Sequence, residues 1–469
     1  MLEMKEINTK IRFWNGLKTI GGTIVSVEYE NSRVIFDFGL SYNPAEEFSA
    51  IVKARYHAMV EDYINLNKIP AIDGLYSRKD LRNLSNIISA EEDERNTAIL
   101  ISHVHLDHIG AMGVVSPKIQ VYLTEDSLRL YEAVEEIGEG VFGERSYRSL
   151  KYEDVLNIGE IKVIAVQLDH DVLGACGFFI ETPDVKIVYS GDLRLHGKHP
   201  ELTMDFVSKA HNFMPNLLLM EGTMINGEKD SRDTKPSNEL KGVNTEQQVK
   251  EMLVDKFEKA KGLVLVNTSE RNLERIAHIV ESAEAAGRKI VLEPATAYLI
   301  SRIINMDNFT IYKSEELEAE LLKDDVVGWM TELLEASEVV SYRDINLNPK
   351  KYVIQNSFKN LMELLDLNLK KSVYIHSNAI PLGAYDPDFQ RLQEFLRKLK
   401  VDYEYIGTPG HAFHSHLKYI INEIAPDILV PLHSFYPEKL YPESRLQFLP
   451  HYGVEYIVKD KKMIKLKVK

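Results

Sequence analysis

The sequence predicts an α/β protein built from two units, and three features carry this expectation. Short apolar runs suited to buried strands recur along the chain and end at histidine, aspartate or serine. Beyond residue 245 such runs alternate with helical stretches, the pattern of a parallel sheet covered on both faces. A length of 469 residues is more than one hydrophobic core usually organises, so two domains are expected.

Composition narrows the class. With 44% hydrophobic and 27% charged residues the chain has the make-up of a globular enzyme. No apolar run approaches the ~18–20 residues that span a bilayer, so no membrane partner is expected. The opening "MLEMKEINTK" lacks the apolar core of a secretory signal. The single cysteine, Cys176, excludes an internal disulfide framework and a cysteine-based zinc site, and a reducing cytoplasm fits. A net charge of −15 argues against a protein that coats nucleic acid, while leaving room for a basic groove on an acidic body.

Taken in order, the first informative element is "AIVKARYHAMVEDYINLNKIP", which reads as helical. "AILIS" (Ala98 to Ser102) follows as a buried strand and leads into "HVHLDH". In extended chain His103 and His105 point to one side and can reach one ion. Asp107 and His108 lie past a bend and can aim at a second ion, in the manner of two-metal hydrolytic sites with ions ~3.5–4 Å apart. Three later strands end in further ligands: His170 in "VIAVQLDHDVLGACGFFI", Asp192 in "VKIVYSGDLRLHG" and His433 in "DILVPLHSFYPE". The candidate metal set is therefore His103, His105, Asp107, His108, His170, Asp192 and His433. Neutral imidazole and carboxylate suit zinc, with manganese or iron as alternatives.

The middle of the chain reads as a unit of its own. The polar stretch "GEKDSRDTKPSNELKGVN" (Gly227 to Asn244) is a surface linker. Thr245 with Gln248 makes a capping box, after which Val249, Leu253 and Phe257 recur at helical spacing. "GLVLVN", "KIVLE", "KYVIQN" and "SVYIHS" are strands, and a helix carrying Leu273, Ile276, Ala277 and Val280 stops near Gly287. Arg271 and Arg275 line a substrate channel or lie on a solvated face. His376 is expected in the core or a loop, His414 and His416 in solvated or structural positions, and Cys176 as a buried small residue. The chain ends in "VEYIVKDKKMIKLKVK", an alternating strand with exposed lysines.

These motifs resemble the metallo-β-lactamase fold and, within it, the β-CASP nucleases in the layout of ribonuclease J. His-x-His-x-Asp-His is matched by His103, His105, Asp107 and His108, the third-motif histidine by His170 and the bridging aspartate by Asp192 in "YSGDLR". Asp37 and Gly39 match the family's early Asp-x-Gly turn. Three further motifs match Glu221 in "LLLMEGT", His411 in "GTPGHA" and His433 in "PLHSFYPE". Pro409 departs from the family pattern, which commonly has Ser-Gly-His-Ala there. The resemblance implies an αββα sandwich with an inserted α/β β-CASP domain. It places the metallo-β-lactamase domain at 1–221. A helical insertion at about 44–97 is a second departure from the family pattern, and its role, a lid or an oligomer contact, is not given by the resemblance. The β-CASP domain then covers 222–405 and the return segment 406–469.

By the same resemblance, Asp107, His411 and Glu221 are the catalytic residues beyond the metal shell. Two zinc ions per chain, or manganese, would supply a hydroxide at neutral pH. Asp107 would orient it, His411 would stabilise the charge developing on phosphate, and Glu221 would hold a neighbouring group. The expected function is a metal-dependent phosphodiester hydrolase, a zinc nuclease acting on single-stranded RNA, in a cytoplasmic protein that is compatible with a homo-oligomer. The alternatives are a DNA nuclease, a small-molecule hydrolase of thioester or lactam type, and a non-catalytic subunit. Filled ligand positions argue against the last.

Overall fold

The computed structural model describes residues 8–42, 52–225, 245–321, 328–442 and 445–466. Three sheets organise them. The first is mixed, in the order Lys462–Lys465, Glu455–Lys459, Lys10–Asn15, Ile24–Tyr29, Ser32–Phe36, Asn96–Leu100, Gln120–Thr124 and Arg148–Leu150. The second runs Leu446–Gln447, Ile428–Leu432, Leu217–Glu221, Lys186–Tyr189, Cys176–Glu181, Ile161–Gln167 and Val155–Ile158. The return segment thus feeds strands into both sheets, closing the N-terminal half on itself.

The two mixed sheets pack face to face through one buried cluster. Phe36 and Leu100 of the first meet Phe178, Tyr189, Leu217 and Val430 of the second. The Phe36 ring lies 5.5 Å from Phe178 and 5.8 Å from Tyr189, in the tilted geometry that aromatic pairs favour. On the far side of the second sheet the helices Pro200–Phe213 and His414–Ile424 bury Phe206, Ile420 and Ile424. The helix Glu125–Glu136 and the segment before Asn96 cover the far side of the first. The layering is αββα, as the sequence predicts.

The third sheet is wholly parallel, in the order Val339–Ser341, Thr310–Lys313, Lys289–Leu292, Tyr352–Gln355, Val264–Thr268, Val373–Ser377 and Asp402–Tyr405. The Thr245 hydroxyl accepts the Gln248 N–H at the start of the helix Glu246–Lys259, which buries Val249, Leu253 and Phe257. The expected linker from Gly227 to Asn244 lies outside the described residues.

Two expectations need correcting. Among the described residues of "AIVKARYHAMVEDYINLNKIP", Tyr56–Ala58 and Met59–Asn65 are helical and the rest is not, because Asn67 turns to φ 55° and Pro70 follows. The chain after it packs as core: Ile69, Ile72, Leu75 and Tyr76 are buried beside Ile99 and Ile101. Arg271 and Arg275 do not share a solvated face. The helix Leu273–Ala285 is enclosed by its neighbours, and Arg275 is 0% exposed, with Glu246 as its ion-pair partner. His376 and Cys176 are buried, and the His416 ring packs near Phe413. Among the described residues no helix is long and apolar enough to cross a membrane.

The contact between the mixed sheets should dominate stability. Phe178→Ala removes a ring that is 1% exposed at their interface, and truncations of this kind cost about 3–5 kcal/mol. Chemical denaturation of the variant should show a loss of that order. A loss under about 1 kcal/mol would mean that the sheets do not share this core.

Candidate metal centre

The candidate ligands gather at one rim of the sandwich. The strand Asn96–Leu100 delivers His103 and His105, and a single helical turn, Leu106–Ile109, carries Asp107 and His108. That turn is locked to the preceding loop: Gly22 N–H donates to the Asp107 carbonyl and Phe38 N–H to the His108 carbonyl, both at 2.8 Å. Gly39 makes the approach possible, since a Cβ there would sit 1.7 Å from the Asp107 carbonyl oxygen. From the second sheet come His170, Asp192, Glu221 and His433, each at or just past a strand end, where α/β folds place their sites.

The side chains sort into two pockets. In the first, His105 Nδ1 lies 3.2 Å from His103 Nε2 and 3.2 Å from His170 Nε2. In the second, Asp107 Oδ2, His108 Nε2 and His433 Nε2 are mutually 3.0, 3.3 and 3.6 Å apart. Asp192 Oδ2 stands between them, 3.1 Å from His108, 3.7 Å from His103 and His433, and 4.0 Å from His170. Ligand atoms ~2.0–2.1 Å from a tetrahedral ion are separated by about 3.3–3.4 Å, and these distances cluster there. The residues present therefore fit two metal ions with Asp192 at the shared corner.

Charge and hydrogen bonding agree with that fit. Asp192 is 2% exposed, and its Oδ2 has no hydrogen-bond partner among the described residues. A buried carboxylate oxygen left so is costly unless a cation answers it. Burial and the neighbouring imidazoles of His108 and His170 hold His103 well below its usual pKa. Burial pulls His170 down to about 4. These rings are neutral, the form that ligates metal. In the second pocket, burial opposes a charged His108, but Asp192, Asp107 and Asp37 outweigh it and favour a cation there.

Outer hydrogen bonds aim the rings. The Nδ1–H of His108 donates to Asp37 at 2.8 Å and that of His170 to the Gly410 carbonyl at 2.7 Å. Ser102 Oγ pairs with His103 Nδ1 at 3.0 Å and Thr223 Oγ1 with His433 Nδ1 at 2.7 Å. All four thus present Nε2 to the centre, while His105 presents Nδ1. Asp37 also accepts from Ser102 N–H and the Tyr189 hydroxyl, so the early Asp-x-Gly turn braces His108. Such partners fix ring orientation and strengthen ligation.

Glu221 and His411 lie at the edge of the centre. Glu221 Oε1 is 3.3 Å from His411 Nδ1, and Asp192 Oδ2 is 3.6 Å from the same atom. Burial works against a charged His411, but these two carboxylates raise its pKa to about 10. Pro409, where the family pattern has serine, turns its carbonyl to His196 Nε2 at 2.8 Å. Gly410 beside it leaves room for Asp171, whose carboxyl carbon a Cβ would meet at 2.6 Å.

Sequence reasoning did not single out Asp171, Thr223, Ser102 or Tyr189. Asp171 Oδ1 lies 3.3 Å from His170 Nε2 at the mouth of the first pocket, and its only sequence signal was adjacency to His170. Thr223 meets a histidine 210 residues away, which no local spacing announces.

Gly39→Ala should push the Asp107 turn out of the centre. Metal analysis after gentle purification should find fewer bound ions than in wild type, whereas Gly328→Ala, with open space around its Cβ, should match wild type. Equal metal content in Gly39→Ala would show that the turn does not hold the second pocket.

Known proteins place this geometry in a family. Residues 72–230 match the family model described as "Beta-lactamase superfamily domain". Ribonuclease J of Pyrococcus abyssi is 23% identical over 451 residues, covering 92% of this chain and 90% of that protein. Ribonuclease J of Helicobacter pylori strain B128 is 22% identical over 454 residues, and there the chain spans only 56% of the relative's length. A crystal structure of a protein of unknown function from Enterococcus faecalis V583 is 30% identical, with a TM-score of 0.79 over 96% of this chain and 100% of that one. By fold, ligand layout and these likenesses, the chain carries a β-lactamase superfamily domain in the metallo-β-lactamase fold and is ribonuclease J-like over most of its length.

Proposed function

We propose that this chain is a metal-dependent ribonuclease that hydrolyses phosphodiester bonds of single-stranded RNA with two zinc ions. The observation that supports it most is the Asp192 oxygen shared by two ligand pockets, beside a histidine that burial alone would have kept neutral. RNA as substrate rests on the likeness to ribonuclease J of Pyrococcus abyssi across 92% of the chain. In this reading His103, His105 and His170 would hold one ion and Asp107, His108 and His433 the other, with the Asp192 carboxylate within reach of both. We also assign residues 222–405 as the β-CASP domain, set between the 1–221 and 406–469 parts of the sandwich, with the RNA strand in the cleft between the units.

Bound there, two divalent ions supply Lewis acidity and lower the pKa of water. The chain's own groups do the rest. Asp107, its side chain 21% exposed, accepts a hydrogen bond from the attacking water and turns its lone pair toward phosphorus. His411, held cationic by Glu221, donates to the phosphate oxygen on which charge develops and can pass its proton to the leaving oxygen. Glu221 also accepts from the Leu193 and Thr223 N–H groups, which fixes the carboxylate that orients His411. Zinc is favoured over manganese by the five imidazoles of the two pockets, those of His103, His105, His108, His170 and His433.

Two variants test the division of roles. Asp107→Ala should fold, as circular dichroism will show, and lose RNA cleavage. His411→Ala should retain its metal and lose about 10²–10³-fold in cleavage rate, the worth of one positioned donor. The assay uses end-labelled RNA and DNA oligomers of one sequence, with a lactam and a thioester probe alongside. Cleavage of DNA alone, or turnover of the small probes alone, would replace this reading with a DNA nuclease or a small-molecule hydrolase. Wild-type cleavage by His411→Ala would remove its catalytic role.

A further inference from the structure

The parallel-sheet unit does more than face the metal centre. Its segment Glu270–Arg275, which runs from the turn after the strand Val264–Thr268 into the first turn of the helix Leu273–Ala285, grips both loops that carry the first ion's ligands. Arg271 reaches across the junction. Its guanidinium donates to the carbonyl of Val104 at 2.8 Å and to that of Glu139 at 3.2 Å. Val104 is the residue between His103 and His105, so this bond fixes the peptide whose tilt sets where both rings point.

The second arm runs through buried charge. Arg275 binds Glu246 through two nitrogens, at 2.7 and 2.8 Å, and donates to the Thr408 carbonyl at 3.3 Å. Glu246 also takes Arg194 Nη1 at 2.8 Å, and Arg194 Nε donates to Asp169 at 3.0 Å. Asp169 precedes His170, and the Thr408 loop continues to the Gly410 carbonyl that orients the His170 ring. Arg194, Glu246 and Arg275 are each 0% exposed, so every member needs its partners.

The second ion's ligands are braced differently. Asp37 holds His108 and the Gly39 loop holds Asp107 from just past the strand Ser32–Phe36, and Thr223 holds His433 from two residues past the end of the second-sheet strand Leu217–Glu221. We propose that Arg271 is a positioning residue by which the parallel-sheet unit preforms the His103, His105 and His170 pocket, while its own hydrogen bonds do not reach the Asp107, His108 and His433 pocket. The inference rests on the two-ion reading above. It means that the Arg271 contact is coupled to occupancy of one metal position and not of the other.

The test uses the full chain, stripped of metal and titrated with zinc against a chromophoric chelator. Wild type should take up two ions. Arg271→Ala should hold one of them about 10–100-fold more weakly, the usual effect of losing an outer partner, with the other unchanged. Combination with pocket variants identifies the ion. Added to His105→Ala, Arg271→Ala should change nothing further; added to His433→Ala, it should still weaken the remaining ion. Two ions of wild-type affinity in Arg271→Ala, or equal weakening of both, overturn the inference alone. A wild-type chain that binds no zinc removes the proposed zinc centre and the inference with it. If Arg271→Ala does not fold, Arg271→Lys decides. It keeps the charge but cannot span two carbonyls as the guanidinium fork does. First-ion affinity at the wild-type level in that variant overturns the proposal.

Discussion

Asp192 holds a carboxylate oxygen within 3.1–4.0 Å of five imidazoles, buried and without a hydrogen-bond partner among the described residues. Burial alone would push its pKa up, yet His108, His433 and His411 hold it well below the ordinary carboxylate range. An ionised group in such a place is sustained by positive charge, and protonated histidines on every side would crowd one another. Dications satisfy the same field with neutral rings as ligands. The architecture around Asp192 can be understood as what is needed to keep that oxygen central. Two sheets bring strand ends to a common rim, one helical turn doubles the chain back, and glycine permits the close approach.

The support around this centre is uneven, and the unevenness has structural origins. The sandwich closes through the return segment, so the partners of His108 and His433 come from strands already fixed by its core. The loops holding His103, His105 and His170 also touch the parallel-sheet unit. They lean on a buried ion network and on a guanidinium that belong to the parallel-sheet unit. The junction is also tied by Tyr42 to Asp386 and by Lys359 to Glu139. On the proposed role of Arg271, metal binding at one of the two positions is therefore coupled to the seating of the two units.

Much of this was legible in the sequence. His103, His105, Asp107 and His108 announce themselves because four ligands stand in six residues after an apolar strand, and strand ends flag His170, Asp192 and His433. Glu221 and His411 carry no such local signal and were reached through a family resemblance. The αββα layering followed in the same way, while the parallel sheet followed from alternation alone. What failed were readings that depend on tertiary enclosure. Arg275 has the sequence look of a solvated helix residue, and only the packing of Glu246 and Arg194 against it makes it buried. The segment before Asn96 has helical periodicity, but Asn67 and Pro70 cut the helix short, and its apolar residues serve the sheet beneath. Asp171 and Thr223 act across long sequence separations, where spacing says nothing.

The central claim is that one oxygen of Asp192 is the common corner of two ion sites. Anomalous diffraction from crystals grown with zinc measures this directly. The account predicts two peaks flanking Asp192 Oδ2, one among His103, His105 and His170 and the other among Asp107, His108 and His433. A single peak, or two peaks neither of which touches Asp192, would contradict it.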